Sequence, residues 1–300
     1  MELIKPNTNF DFVRFSRWAI GFSFALVFIG IGSLLYHGGP NYGIDFVGGT
    51  VVHVKFNKPT AISDIREALT SMDIANVTVQ DFGQGGGEFL IRMPVIESGA
   101  EDVSAKIQKG LVGKFGEQAF EVRRVETVGP KVGKDLRKKA ILAVLFSTLM
   151  MGVYIAFRFE PRFGLGAATA LLHDVFITAG ALSLLNFEFD LTTVAALLTV
   201  VGFSVNDTVI VCDRIRENMR KARREGLASI INKSINETLS RTIITTGTAV
   251  LVIVALLLLG GEVMHGFAFA LLVGFVIGTY SSIYVASPIV LWFEKGGQRA

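Results

Sequence analysis

At 300 residues, with 51% hydrophobic and only 18% charged side chains and a mean hydropathy of +0.51, the chain is too apolar to be a water-soluble globule. The formal net charge of +3 is small, so its placement matters more than its size, and it does not point to a nucleic-acid partner. One cysteine, Cys212, excludes an internal disulfide framework, and four scattered histidines offer no metal-ligand spacing, so neither a metal nor a cofactor is expected.

In chain order, Lys5, Arg14 and Arg17 precede an apolar run that is too long for the core of a cleaved signal peptide and reads as an anchor. Six segments reach the length a hydrocarbon core requires: about 18–36, 141–157, 163–185, 191–211, 243–259 and 267–293. The predicted organisation is an N-terminus over 1–17, a first helix over 18–36, an aqueous domain with its connectors over 37–138, a five-helix bundle over 139–295 and a tail over 296–300. The short loops fix an orientation. Arg14, Arg17, Arg158, Arg162 and the run Arg214–Arg224 lie on one side, while Asn186–Asp190 and Gly260–His265 carry no Lys or Arg. By the positive-inside rule both termini face the cytoplasm and the aqueous domain faces out. Lys131–Lys139 crowd the outer end of the second span against this rule, but long domains translocate largely regardless of charge.

Within the aqueous domain, Val51–Phe56 alternates at period two and Ile62–Met72 has helical spacing. Val77–Phe82 and Phe89–Met93 read as strands joined by the turn Gly83–Gly87, Val103–Phe115 as a helix and Phe120–Val125 as a last strand. This is the β-α-β-β-α-β order of ferredoxin-like folds, which by itself says nothing about chemistry. Further on, Leu227, Ile230, Ile231, Ile235 and Leu239 share one helical face within the segment 214–240. That pattern predicts either an amphipathic helix on the inner membrane surface or a basic helix that docks a partner.

The fourth span contains an amide and a carboxylate, Asn206 and Asp207. An ionisable group at membrane depth costs a few kcal/mol or more, which makes it a candidate functional site; the competing reading is polar glue between helices. Ala195, Thr199, Gly202 and Asn206 form a small stripe on that helix. Ala167, Ala170, Asp174, Thr178 and Ala181 form one on the third span, and Ala270, Gly274, Gly278, Ser282 and Ala286 one on the sixth. Small faces let backbones approach, so these three spans are predicted to pack together with Asp207 and Asp174 turned inward. The fifth span opens with Arg241, which shares a face with Thr245 and Thr248. Asp207 lies about 9 Å to the cytoplasmic side of its span's midpoint. Arg241 enters from that side, so the guanidinium can reach the carboxylate, or else snorkels at the helix end. A paired Asp207 holds its charge, and an unpaired one takes up a proton, which makes a two-state device. Asp213 is expected to partner basic residues of the loop. His173-Asp174 has no nucleophile beside it, so a packing or proton-path role is expected. Gly129-Pro-Lys-Val-Gly133-Lys134 has the wrong spacing for a phosphate loop.

These residues resemble the SecF family, the smaller membrane subunits of the SecDF accessory complex of bacterial protein export. The resemblance rests on Asn41-Tyr-Gly-Ile-Asp-Phe-Val-Gly-Gly-Thr50, with Gly43, Asp45, Gly48 and Gly49, and on Glu126-Thr-Val-Gly-Pro-Lys-Val-Gly133, with Gly129 and Pro130. It continues through Ser204–Asn218 and Asn236–Thr242. It implies six membrane helices with a ferredoxin-like periplasmic domain, similar to half of a resistance-nodulation-division transporter, in the inner membrane. It also implies pairing with SecD, association with the SecYEG channel and with YajC and YidC, contact with the translocating polypeptide, and drive by proton-motive force. The family's motif aspartate falls on Asp207 and its arginine on Arg241. No enzymatic activity is implied. Two other readings remain at this point: half of a small-molecule exporter, and an intramembrane aspartyl protease pairing Asp174 with Asp207.

Overall fold

The structure is a computed structural model that describes residues 9–70, 77–81, 87–94, 100–222 and 225–297. Lys5, Met72, Phe82, most of the predicted turn at 83–87, Arg223 and Arg224 lie outside the described residues.

Among the described residues, six helices are long and apolar enough to cross a membrane. The first, α1 (Phe12–Tyr36), leads through a short α2 (Ile44–Val47) into a sheet domain. The domain runs β1 (Gly49–Phe56), α3 (Ile62–Thr70), β2 (Thr78–Asp81), β3 (Glu88–Pro94), α4 (Ala100–Phe115) and β4 (Phe120–Val128). Its strands are antiparallel in the order β2-β3-β1-β4, the split β-α-β arrangement that the sequence predicts. The alternation in β1 sends Val52, Val54 and Phe56 onto the helices α3 and α4, where they meet Ile65, Leu69, Phe89, Ile91, Met93, Ile107 and Leu111 in one core. Each such side chain contributes about 1.5–3 kcal/mol by leaving water. The other face of the sheet carries His53, Leu90 and Arg92 and looks toward the end of the bundle.

The bundle continues with α5 (Pro130–Arg158), α6 (Pro161–Leu184), α7 (Leu191–Lys221), α8 (Leu227–Leu259), α9 (Glu262–Ser281), a π-helical turn at Ser282–Ala286, and α10 (Ser287–Gly297). Proline at the first turn of α5 and α6 starts each helix where an amide donor is dispensable. Asp190 caps α7 by accepting from Thr193 N at 2.7 Å. Close helix contacts use glycine. A Cβ on Gly180 of α6 would stand 2.6 Å from the Cα of Gly30 in α1, and one on Gly278 of α9 would stand 2.9 Å from Ser204 Cβ in α7.

The segment 227–239 differs from both sequence expectations. It is the first part of α8, unbroken through Leu259, and its apolar face is not laid on a membrane. Leu227, Ile230, Ile231, Ile235 and Leu239 are buried against Ile155, Phe159, Phe163, Val211 and Ile215 of the other helices. The spacing identifies an apolar face correctly, but protein covers it. Its polar side binds the segment that leads into α1, where Asn232 Oδ1 accepts from Phe12 N at 2.8 Å and Asn236 Oδ1 accepts from Phe10 N at 2.8 Å.

The glycine-rich joint between α1 and the sheet sits on the same end of the bundle as the α6–α7 loop. Gly43 N donates to Phe189 O at 2.8 Å, and Asp45 Oδ2 accepts from Leu191 N at 3.0 Å. Gly49 has φ +153°, and a Cβ there would stand 2.4 Å from Met93 O, so only glycine lets β1 begin beside β3. Gly48, at φ +90°, turns the chain just before it. Gly129 is the N-cap of α5 and Pro130 its first residue. Arg92 of β3 makes an ion pair with Glu188, which ties the sheet to the α6–α7 loop across a cavity of about 220 Å³.

Candidate functional site

The centre of the bundle is the contact between α6, α7 and α9, with α8 closing one side. Among the buried positions along the middle of α7 are Val200, Val201, Ser204, Asp207, Thr208, Val211 and Cys212. Asp207 is 1% exposed, as its place in the apolar run predicts. Its Oδ2 lies 3.3 Å from Thr279 Oγ1 of α9 and 3.5 Å from Thr246 Oγ1 of α8, and these two hydroxyls are 2.7 Å apart. Oδ1 is buried and has no hydrogen-bond partner among the described residues. The hydroxyl that meets Asp207 from α8 is therefore Thr246, not Thr245 or Thr248.

Arg241 does not ion-pair with Asp207 in this structure. It is exposed and lines an open cleft of about 550 Å³ together with Arg158, Asp213, Arg214, Glu217, Glu237 and Thr238. Its charge acts on Asp207 only at a distance. Asp213 is exposed in the same cleft and, among the described residues, makes no ion pair with the basic residues beside it; Arg223 and Arg224 lie outside the described residues. Two basic residues of this region have other partners: Arg214 binds Glu217 and Glu237, each at 2.6 Å, and Lys221 binds Glu217 at 2.6 Å.

Asp174 on α6 is fully buried and organised by three helices. Oδ2 accepts from Ser204 Oγ of α7 at 2.6 Å and from Ser281 Oγ of α9 at 2.8 Å, and Oδ1 lies 3.0 Å from His173 Nδ1. No hydrogen bond joins Asp174 to Asp207; each carboxyl has its own hydroxyls. A protease dyad requires two carboxyls sharing one proton, which this arrangement does not provide. Thr279, Tyr280 and Ser281 are the site residues that the sequence reading missed. Their signal was a run of hydroxyl side chains inside an otherwise apolar span.

The small stripes on α6 and α9 face inward as predicted. The stripe on α7 does not. Ala195, Thr199, Gly202 and Asn206 are all exposed, and a Cβ on Gly202 would meet nothing within 4 Å. The packing against α9 uses the neighbouring row instead, with Val200 over Gly274 and Ser204 over Gly278. Asn206 is thus separated from Asp207 by the turn of the helix, one residue facing out and the other in.

This geometry defines a multi-pass membrane protein with a ferredoxin-like domain after its first helix and two carboxyls enclosed by hydroxyls in its bundle. Residues 108–296 match the family of the protein export membrane proteins SecD/SecF, C-terminal part, and residues 34–60 match the SecD/SecF GG motif. The chain is 48% identical to the protein translocase subunit SecF of Magnetococcus marinus over its whole length and 96% of that relative. It is 43% identical to SecF of Escherichia coli O157:H7 over 94% of its length and 87% of that relative. The crystal structure of SecDF, a translocon-associated membrane protein from Thermus thermophilus, superposes with a TM-score of 0.83 at 38% identity, covering 98% of this chain and 40% of that one. SecDF in a super-membrane-facing form gives 0.73 at 37% identity, covering all of this chain and again 40% of the other. The chain belongs to the SecF family of protein translocase subunits.

Proposed function

We propose that this chain works with a SecD half as a proton-driven auxiliary of the translocase, with Asp207 as the group that gains and loses the proton and Arg241 as the charge that governs it. The observation that carries the proposal is Asp207 itself, enclosed in the bundle with, among the described residues, one oxygen unpartnered and no cation within ion-pair distance. A lone buried carboxylate is costly, so a proton or an arriving cation must neutralise it. Arg241 begins five residues before Thr246, about 7.5 Å along α8, in a cleft open to solvent. Moving one proton through 100 mV supplies ~2.3 kcal/mol, enough to bias two packings of a helix pair.

The solved SecDF chains are longer than this one, which spans 40% of them. The outward stripe of α7, with Asn206 and Gly202, is a surface on which a SecD helix can lie close. In this reading the termini and the Arg241 cleft face the cytoplasm, and the sheet domain faces the periplasm and the translocating polypeptide. The complex sits beside SecYEG, with YajC and YidC as further associates, in the inner membrane. Asn206, Asp174 and Asp213 are polar lining around the path; Gly43, Asp45, Gly48, Gly49, Gly129 and Pro130 build the joint of the sheet domain.

Asp207→Asn keeps the shape of the side chain and removes its titration. In inverted membrane vesicles carrying the whole complex, the variant is expected to lose the proton-gradient-dependent part of protein export and to keep the ATP-dependent part. Export that still responds fully to the gradient would reject the proposal.

A further inference from the structure

We propose that Asp174 and His173 form a second proton-holding site in the bundle, separate from Asp207 and fed through the imidazole. This rests on the proton-driven reading above.

The hydrogen-bond arithmetic is the first support. Oδ2 of Asp174 faces two serine hydroxyls, and Ser281 has two uses for its single proton: Asp174 Oδ2 at 2.8 Å and Gly278 O at 3.1 Å. With the carboxyl ionised, Ser204 and Ser281 both donate to it. With the carboxyl protonated on Oδ1, the new O–H donates to the bare Nδ1 and both serines keep donating to Oδ2; with the proton on Oδ2 instead, Ser281 turns its proton to Gly278 O and accepts the new O–H. Every polar atom of the group is satisfied in both charge states, and no backbone needs to move. A carboxyl serving only as glue requires one such arrangement.

The imidazole is the second support. With Oδ1 facing it at 3.0 Å, Nδ1 carries the proton and donates to the carboxylate. In the neutral ring this leaves Nε2 with a lone pair, and among the described residues Nε2 has no partner, buried in a side chain only 9% exposed. A proton arriving at Nε2 makes the imidazolium. The Nδ1 proton then passes to Oδ1, leaving a neutral ring protonated on Nε2 and a neutral carboxylic acid, so one proton has entered and none is lost. The ring stacks on Tyr280 at 6.3 Å, and Tyr280 Oη donates to Ala19 O at 2.5 Å and lies 3.1 Å from Ser23 Oγ of α1. Among the described residues, the titratable side chain in contact with the pair is Tyr280, with Tyr284 packed against it; α7 contributes the Ser204 hydroxyl, with Asp207 one turn further along. The π-helical turn begins at Ser282, directly after Ser281, a distortion that accompanies functional positions in helices.

The test is infrared difference spectroscopy of the carboxyl C=O stretch in membranes carrying the complete complex, titrated through roughly pH 5 to 8, for the native chain, Asp174→Asn, Asp207→Asn and His173→Gln. In Asp174→Asn the amide can still donate to Ser281, so the bundle is expected to assemble. The expected result is loss of one titrating carboxyl band in Asp174→Asn, loss of a different one in Asp207→Asn, and a moved midpoint for the Asp174 band in His173→Gln. If Asp207→Asn alone removes every titrating band, the second site is overturned and the function proposed above stands. If no carboxyl titrates in the native complex, both fall. Should Asp174→Asn not assemble, the His173→Gln spectrum decides: a midpoint identical to the native one overturns the site.

Discussion

The burial of Asp207 was legible from sequence, because an ionisable side chain in an apolar run is turned away from lipid wherever the bundle allows it. Its neighbours were not legible in the same way, since Thr246 and Thr279 lie 39 and 72 residues away in sequence and only the bundle brings them together. Arg241 was named from the same reasoning, and the structure finds it exposed at the rim of a cleft instead of bonded. That exposure separates its structural from its functional weight. Arg241→Ala is expected to change the thermal stability of the purified complex by no more than about 0.5 kcal/mol, as for surface substitutions generally. The same variant is expected to lose most gradient-dependent export. A large fall in stability with export intact would reverse the assignment.

At the scale of elements, helical spacing told which residues share a face but not which way the face points. On α7 two rows stand side by side: Ala195–Thr199–Gly202–Asn206 and Val200–Ser204–Asp207–Val211. Small size suggested the first for packing, and the structure uses the second, because Gly274 and Gly278 of α9 accept branched or polar side chains there. The apolar face of 227–239 was likewise correct as a face and wrong as to what covers it, since sequence does not distinguish lipid from protein as an apolar neighbour. Close backbone contact makes its own prediction. Gly180→Ala places a methyl 2.6 Å from the Gly30 backbone and is expected to cost about 1–3 kcal/mol. Its denaturation midpoint in detergent should fall accordingly, while the α7 variant Gly202→Ala, with open space around it, should not unfold the chain. In the sheet, Lys55, 3.2 Å from Glu88, holds that carboxyl below its ordinary value of 4.5, with Arg123 and His53 adding to the effect and burial opposing it. A depressed carboxylate stabilises the folded state fully above its unfolded value and loses that contribution as pH falls through the folded one. Amide protection of β1 and β3, corrected for intrinsic exchange, should therefore weaken on acidification below about pH 4, and Glu88→Gln should remove the dependence.

On the scale of the molecule, the order of strands, helices and spans was readable because alternation, spacing and length are local properties. The joint between sheet and bundle was not, since it depends on Arg92 meeting Glu188 and Asp45 meeting Leu191 N across long stretches of chain. A partly exposed ion pair of this kind stabilises on the order of 1 kcal/mol, so Arg92→Ala should leave the unfolding temperature nearly unchanged. Spin-label distances between the sheet and α7 should instead broaden, and an unaltered distribution would show that the pair is not what holds the domain in place. The unbroken α8 has a further consequence. Spanning about 50 Å from Leu227 to Leu259 without a hinge, it holds the backbone of Phe10 and Phe12 near one end and touches the buried carboxyl near its middle. A rod so mounted cannot yield at one station alone. If Asp207 changes charge as proposed, any tilt that follows at its contact with Thr246 would be carried along the helix to both of its ends together.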